Sequence, residues 1–202
     1  MSKVEQYWEL DPNRNNMGKF DRQKHFEIAT KAYWEDIDDC WKFIINCKEH
    51  LEILKECKEF TDYKPWITDA VRAKKTKWTR FGKMGFHGRM VAFPDYDTFP
   101  TFMKWFDQHK DTYGWQHPEI RLLKSGSMIV PHTHDKDTPK YIYNMSINHP
   151  EGCRFGVQPN GQVPYTSGDV YRINSWNVHC VWNNSDVDRY HVVLGSKEKG
   201  SR

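Results

Sequence analysis

Three histidines set the chemistry available to this chain. His132 and His134 flank a single residue in Pro131-His132-Thr133-His134, and His179 ends Asn174-Ser175-Trp176-Asn177-Val178-His179. Side chains one residue apart share a side only on an extended strand, whose side-chain period is two, so the pair can face one ion from a strand while a third imidazole arrives from a neighbouring strand. Neutral imidazole is the commonest ligand of first-row transition metals, and three of them on one side of an ion leave positions open for substrate and oxygen. The pattern predicts a mononuclear metal centre with His132, His134 and His179 as its candidate ligands.

Strands must present these residues, and the pattern from Glu119 onward supplies them. Short runs rich in β-branched and aromatic residues recur at 120–123, 128–134, 141–147, 153–158, 162–165, 169–173, 178–182 and 189–194, divided by turn residues such as Ser125-Gly126, Ser167-Gly168 and Asn183-Asn184-Ser185-Asp186. Before them, apolar residues from about Asp21 to Phe60 fall at helical spacing (Ile37, Cys40, Trp41, Ile44, Cys47, Leu51, Leu54), predicting one long helix or two joined near Asn46. Thr98-Phe99-Pro100 predicts a second helix, opened by a capping hydroxyl and an early proline and ending near His109 to Gly114. The expected architecture is mainly β with N-terminal helices, an α+β chain in which a small two-sheet sandwich or jelly roll is buttressed by a helical layer. As a division of one structural domain, residues 1–118 form the helical and support region, 119–195 the metal-binding core, and 196–202 a flexible tail.

The chain's 202 residues suit a single domain. With aromatics at 15% against 38% hydrophobic residues overall, Trp, Tyr and Phe must supply much of the core. Five cysteines, Cys40, Cys47, Cys57, Cys153 and Cys180, form no C-x-x-C pair and are odd in number, which argues for reduced core thiols rather than a disulfide framework or a zinc ribbon. Without an 18-residue apolar run or a signal-peptide pattern at the start, a cytoplasmic protein is expected. The net charge of +3 is too mild to imply nucleic acid by itself. A local stretch, Lys74, Lys75, Lys77, Arg80, Lys83 and Arg89 interleaved with Trp78, Phe81 and Phe86, has the makings of a phosphate-tracking, base-stacking surface, although such runs are more often a solvated face.

Two families share the spacing around the histidines. Gly126 to His134 reads G-x5-H-x-H and Gly168 to Asn183 reads G-x5-N-x-W-x2-H-x3-N, which is similar to the cupin signature except that Asn174 and Trp176 stand for its proline and glycine and its glutamate ligand is missing. From Arg121 to Leu194 the chain resembles more closely the aspartyl/asparaginyl β-hydroxylase family of iron(II)- and 2-oxoglutarate-dependent oxygenases. The residues carrying this likeness are Gly126 to Thr133, Pro150-Glu151-Gly152-Cys153, Gly168-Asp169-Val170, His179, and Arg189 leading an apolar strand. The resemblance implies a double-stranded β-helix, or cupin-like jelly roll, with iron on His132 and His179 and the distal carboxylate of 2-oxoglutarate on Arg189, these three being the catalytic set. It also implies a cofactor-contacting polar residue at Arg121. Related oxygenases usually carry a carboxylate two residues after the first histidine; here His134 stands there, either coordinating or yielding that role to Asp135 or Asp137.

Physical chemistry adds to the likeness. Hairpin pairing between the runs holding His179 and Arg189 would bring the guanidinium within a cofactor's length of the metal, and its planar fork suits a buried carboxylate; the bland alternative pairs Arg189 with Asp186 or Asp188 on the surface. His191, two residues along the same strand face, and Asn144, on the strand after the metal site, are further candidates for cofactor contact, with core packing as the default for Tyr141, Tyr143 and Asn144. The expected reaction hydroxylates an amino-acid, peptidyl or other small substrate while 2-oxoglutarate becomes succinate and CO2. Its rivals are a three-histidine cupin enzyme, a thiol dioxygenase or isomerase without 2-oxoglutarate, and a non-catalytic metal- or nucleic-acid-binding module.

Overall fold

The computed structural model describes residues 40–65, 89–132, 134, 138–158 and 161–196, with backbone alone at 65, 89, 128 and 130–132. In chain order the elements are β1 (Trp41–Asn46), α1 (His50–Glu59), β2 (Lys64–Pro65), β3 (Arg89–Ala92), α2 (Pro100–Tyr113), β4 (Trp115–Leu123), β5 (Met128–His132), β6 (Tyr141–Ser146), β7 (Cys153–Val157), β8 (Gly161–Gln162), β9 (Asp169–Asn174), β10 (His179–Asn183) and β11 (Arg189–Ser196). Seven strands form one antiparallel sheet in the order β1-β9-β6-β11-β4-β3-β2, and four form a second in the order β5-β10-β7-β8.

Strand alternation sorts the side chains into two cores. Ile120 and Leu122, Tyr143 and Met145, and Tyr190, Val192 and Leu194 lie on the face of the large sheet that packs against α1 and α2, together with Ile53, Cys57, Phe102 and Trp105 from the helices. Leu123, Tyr171 and Ile173 lie on the opposite face and meet Ile129, Phe155, Val157 and Val181 of the small sheet. Polar residues out of phase with the helix-side core, Arg189 and His191 on β11 and Asn144 and Ser146 on β6, are therefore directed between the sheets, and all four are buried. The expected two-sheet jelly roll buttressed by helices is the observed architecture.

One expected helix is a strand. Trp41 to Asn46 pairs along β9 rather than continuing a helix, because Trp-Lys-Phe-Ile-Ile suits a pleated surface and the sheet edge offers backbone partners. A register shift between Phe43 and Ile45 lets the adjacent Ile44 and Ile45 both pack on the helix-side core while Trp41 packs between the sheets. A bulge of this kind puts neighbours on one side and so imitates helical spacing. The helical pattern is real only from His50, and even there Leu51 is exposed. The expected run 21–39 and the basic stretch up to residue 88 lie outside the described residues.

The second helix begins at Pro100 and ends at Gly114, whose left-handed φ of 67° closes it. Its cap is not the Thr98 hydroxyl, which donates to Asp95 Oδ1 at 2.7 Å. Instead the Glu56 carboxylate of α1 accepts from the backbone amides of Thr101 (2.7 Å) and Phe102 (3.3 Å), so one helix caps the other. The strand expected over 162–165 is reduced to Gly161–Gln162, since Pro164 has no amide to offer a ladder. All five cysteines are buried and none forms a disulfide, and burial pushes the Cys47, Cys57 and Cys180 thiols up to about 12, as expected of inert core thiols. Among the described residues no helix is long and apolar enough to cross a membrane.

Candidate active site

The first and third histidines meet across one ladder. β5 and β10 are antiparallel neighbours, and His132 lies directly opposite His179 in Cα register. His179 is buried, its ring parallel to that of Phe155 with centroids 6.3 Å apart. Its Nδ1 lies 2.9 Å from the backbone carbonyl of Asn177. A carbonyl only accepts, so Nδ1 carries the proton and Nε2 is left in the unprotonated form that binds a metal.

His134 follows the end of β5 and is held by the turn that leads into β10. Its backbone amide donates to Ser175 O at 2.9 Å, the Ser175 hydroxyl donates to the carbonyls of Pro139 and Lys140, and Trp176 Nε1 donates to Thr138 O. The segment 138–140 is thus sewn onto the 174–177 turn, and the His134 and His179 rings approach to 5.0 Å between centroids at 70°. With metal–nitrogen bonds of about 2.0–2.1 Å, two imidazoles bound side by side on one ion have centroids roughly 4.5–5 Å apart, so this separation suits a shared ion. Among the described residues there is no cluster of three metal-ligating side chains; the His132 side chain and residues Asp135 and Asp137 lie outside them.

Arg189 departs most from an ordinary surface arginine. It is 0% exposed, and among the described residues neither Nε nor either terminal nitrogen has a hydrogen-bond partner. The surface alternative, pairing with Asp186 or Asp188, fails because Arg189 is buried and bonds neither: Asp186 is exposed, and Asp188 accepts from Lys124 at 2.8 Å and from the Ser125 amide at 2.9 Å. The expected hairpin is corrected as well: β10 and β11 do not pair but lie in different sheets. Asn183 Nδ2 donates to the carbonyls of Leu123, Lys124 and Val187, which holds the crossing loop and lets the chain change sheets. His179 and Arg189 accordingly belong to facing sheets.

Beside Arg189 are groups that the sequence reading did not single out for the site. His149 is driven down to about 4, by burial first and by the neighbouring Arg189 guanidinium next, so its ring is neutral. It stacks on Tyr165 at 5.8 Å, and the buried Tyr165 hydroxyl donates toward Asn144 O and Oδ1, each at 3.2 Å. Burial raises the Tyr165 phenol above its ordinary value, so it too is uncharged. Of the remaining candidates, His191 lies opposite Arg121 on β4 and Ser146 on β6, while the Arg121 guanidinium binds Glu119 Oε2 through Nε (3.0 Å) and Nη2 (2.6 Å). No local signal marked His149 or Tyr165; His149 is brought to Arg189 by the bonds of Ile147 and Asn148 to Tyr190 beyond the β6–β11 ladder, and Tyr165 by its stacking on His149.

The pattern of the family described as aspartyl/asparaginyl beta-hydroxylase matches residues 45–197. No curated protein matches the sequence. Solved structures share the fold at low identity. A prolyl hydroxylase from Trichoplax adhaerens, in complex with a hypoxia-inducible-factor peptide fragment, has a TM-score of 0.59 at 13% identity over 89% of this chain and 96% of its own. The non-heme alpha-ketoglutarate-dependent epimerase SnoN of nogalamycin biosynthesis follows at 0.52, with 13% identity over 77% and 76% of the two chains. A 2OG-Fe(II) oxygenase-family protein from Burkholderia pseudomallei has 0.51, with 14% identity over 76% and 81%. With the family pattern spanning most of the chain, this protein belongs to the aspartyl/asparaginyl β-hydroxylase family and is a 2-oxoglutarate-dependent oxygenase.

Proposed function

We propose that the space between the sheets holds iron(II) on His132, His179 and His134, with 2-oxoglutarate reaching from the metal to Arg189, and that the reaction hydroxylates an amino-acid side chain, most naturally within a peptide. The observation that carries this reading is Arg189. A guanidinium shut away from water, with no hydrogen-bond acceptor among the described residues, is costly to the fold, and a ligand carboxylate would repay that cost with a charge-assisted, two-pronged contact. The uncharged neighbours fit the same purpose. With His149 neutral and Tyr165 protonated, neither adds a charge of its own beside Arg189, which is left to meet the distal carboxylate.

When bound, the metal and 2-oxoglutarate supply the oxidising chemistry: O2, 2-oxoglutarate and a C–H bond become succinate, CO2 and a C–OH group. The chain's own residues do the placing. Asn177 O fixes the His179 tautomer so that the metal-facing nitrogen is basic, and Ser175 O holds the His134 backbone. Arg189 orients the far end of 2-oxoglutarate, with His191, Asn144 and Arg121 as further contacts along the inward face. Phe155 and Val181 keep the interior apolar, which strengthens the Arg189 contact. A peptide substrate accords with the Trichoplax neighbour, whose structure contains one.

The test is anaerobic addition of iron(II) and then 2-oxoglutarate to the purified protein, followed by air. The expected result is a visible charge-transfer band from the chelate and then succinate. Metal binding without the band or succinate would instead favour the three-histidine cupin reading, and absence of metal binding would exclude both.

A further inference from the structure

The geometry points to Cys40 and Asn177 as positioning residues for the metal ligand His179, an inference that rests on the proposed iron site. Cys40 is fully buried immediately before β1, more than a hundred residues from His179 in sequence, yet two hydrogen bonds separate it from the imidazole. Asn177 Nδ2 donates to Cys40 Sγ at 3.2 Å, and the backbone carbonyl of the same Asn177 accepts the His179 Nδ1 proton at 2.9 Å. The thiol in turn donates to Gln158 O at 3.2 Å, and Cys40 O accepts from Asn174 N at 2.9 Å. Cys40 thus touches the end of β9, the residue after β7 and the turn before β10. The sulfur bridges Gln158 after β7 and the turn before β10, while the Cys40 carbonyl holds the end of β9.

The local geometry explains why such a brace is useful. The 174–177 turn carries both ligand supports, Ser175 O for the His134 backbone and Asn177 O for the His179 ring. Within the turn, Asn177 N donates to Asn174 O at 3.2 Å and Trp176 N to Asn174 Oδ1 at 3.2 Å. These bonds shape the turn but do not tie its last residue to another element. The Asn177 carboxamide on Cys40 does, and together with the bond from Gln158 N to Val178 O at 2.8 Å it sets the direction of the Asn177 carbonyl and with it the His179 tautomer. Sulfur is a weak acceptor but a large one, and at this place it fills the gap while meeting the amide.

The experiment compares wild type with Cys40→Ala, Asn177→Ala and Cys40→Ser. Long-range 1H–15N spectra of histidine-labelled, metal-free protein report the tautomer of His179, assigned by the signal lost in His179→Gln, and titration with Co(II) reports the affinity of the centre. In wild type His179 is expected as a single Nδ1–H tautomer. In Cys40→Ala and Asn177→Ala, both folded by circular dichroism, the signal should move toward a mixture of tautomers, and Co(II) should bind roughly 10-fold more weakly, the low end of the usual effect of outer-sphere partners. Cys40→Ser, which keeps a donor and an acceptor, should retain the single tautomer. Wild-type tautomer in the two alanine variants overturns the inference, and so does failure of serine to restore it, since the effect would then be one of lost packing. If the tautomer pattern follows expectation while wild type binds no Co(II), the positioning stands and the iron reading falls.

Discussion

At Arg189 the requirements of folding and of function oppose each other. Burying this guanidinium with no acceptor among the described residues costs the ligand-free fold stability, and the proposed 2-oxoglutarate carboxylate would repay that cost. Arg189→Met should therefore raise the ligand-free melting temperature while weakening 2-oxoglutarate binding by about 2–5 kcal/mol, which is about 30-fold or more in Kd. Calorimetric melting and ligand titration measure the two halves; a variant that loses stability and keeps 2-oxoglutarate affinity would show the arginine to be structural. His149 gives a pH signature. Its folded pKa is about 4 against an ordinary 6.5, so between these values the unfolded chain binds more protons than the folded one, and stability is lost as pH falls through that window. Urea midpoints measured from pH 7 to pH 4 should fall, and His149→Phe should flatten the slope in that interval. The sequence offered His132 and His179 because spacing and residue type mark them, and Arg189 through the family resemblance, whereas His149, Tyr165, Asn177 and Cys40 carry no spacing of their own.

The elements that place the site are short strands joined by demanding turns. Gly168, at φ +86°, opens β9 where an added Cβ would stand 2.5 Å from the Cys47 carbonyl oxygen, so both backbone conformation and space require glycine. Gly168→Ala should cost roughly 1–3 kcal/mol, read as a lowered urea midpoint, because the atom in the way is backbone and cannot step aside. Among the helices, Glu56→Ala removes the acceptor of two α2 amides and should cost about 1 kcal/mol, with Glu56→Gln losing less because its carbonyl still accepts. These elements also show where pattern reading stops. The strands from 120 to 194 were legible because alternation and turn residues agree. Trp41 to Asn46 was misread because a bulge and a partner strand on the far side of the sequence decide its conformation. The cap on α2 came from another helix, which no local motif near Thr98 could announce.

Across the whole molecule, two sheets face one another with a helical layer outside, and binding between them should stabilise the assembly. Mn(II), which does not start turnover, together with 2-oxoglutarate at about 100 times Kd should add about 2.7 kcal/mol, seen as a higher melting temperature that a chelator reverses. Arg189→Met should keep the increment due to metal and lose the one due to 2-oxoglutarate; equal increments in both proteins would place the ligand elsewhere. By itself the sequence determined the class of architecture and the paired histidine frame, since side-chain period, turn residues and ligand chemistry are local properties. Only the tertiary structure decided that β10 and β11 part into facing sheets, that Arg189 is buried beside a neutral His149 and an uncharged Tyr165, and that a thiol just before β1 braces a turn beside His179. Those outcomes depend on which strand edges pair and which faces meet, and such long-range choices are settled by the packing of the whole chain.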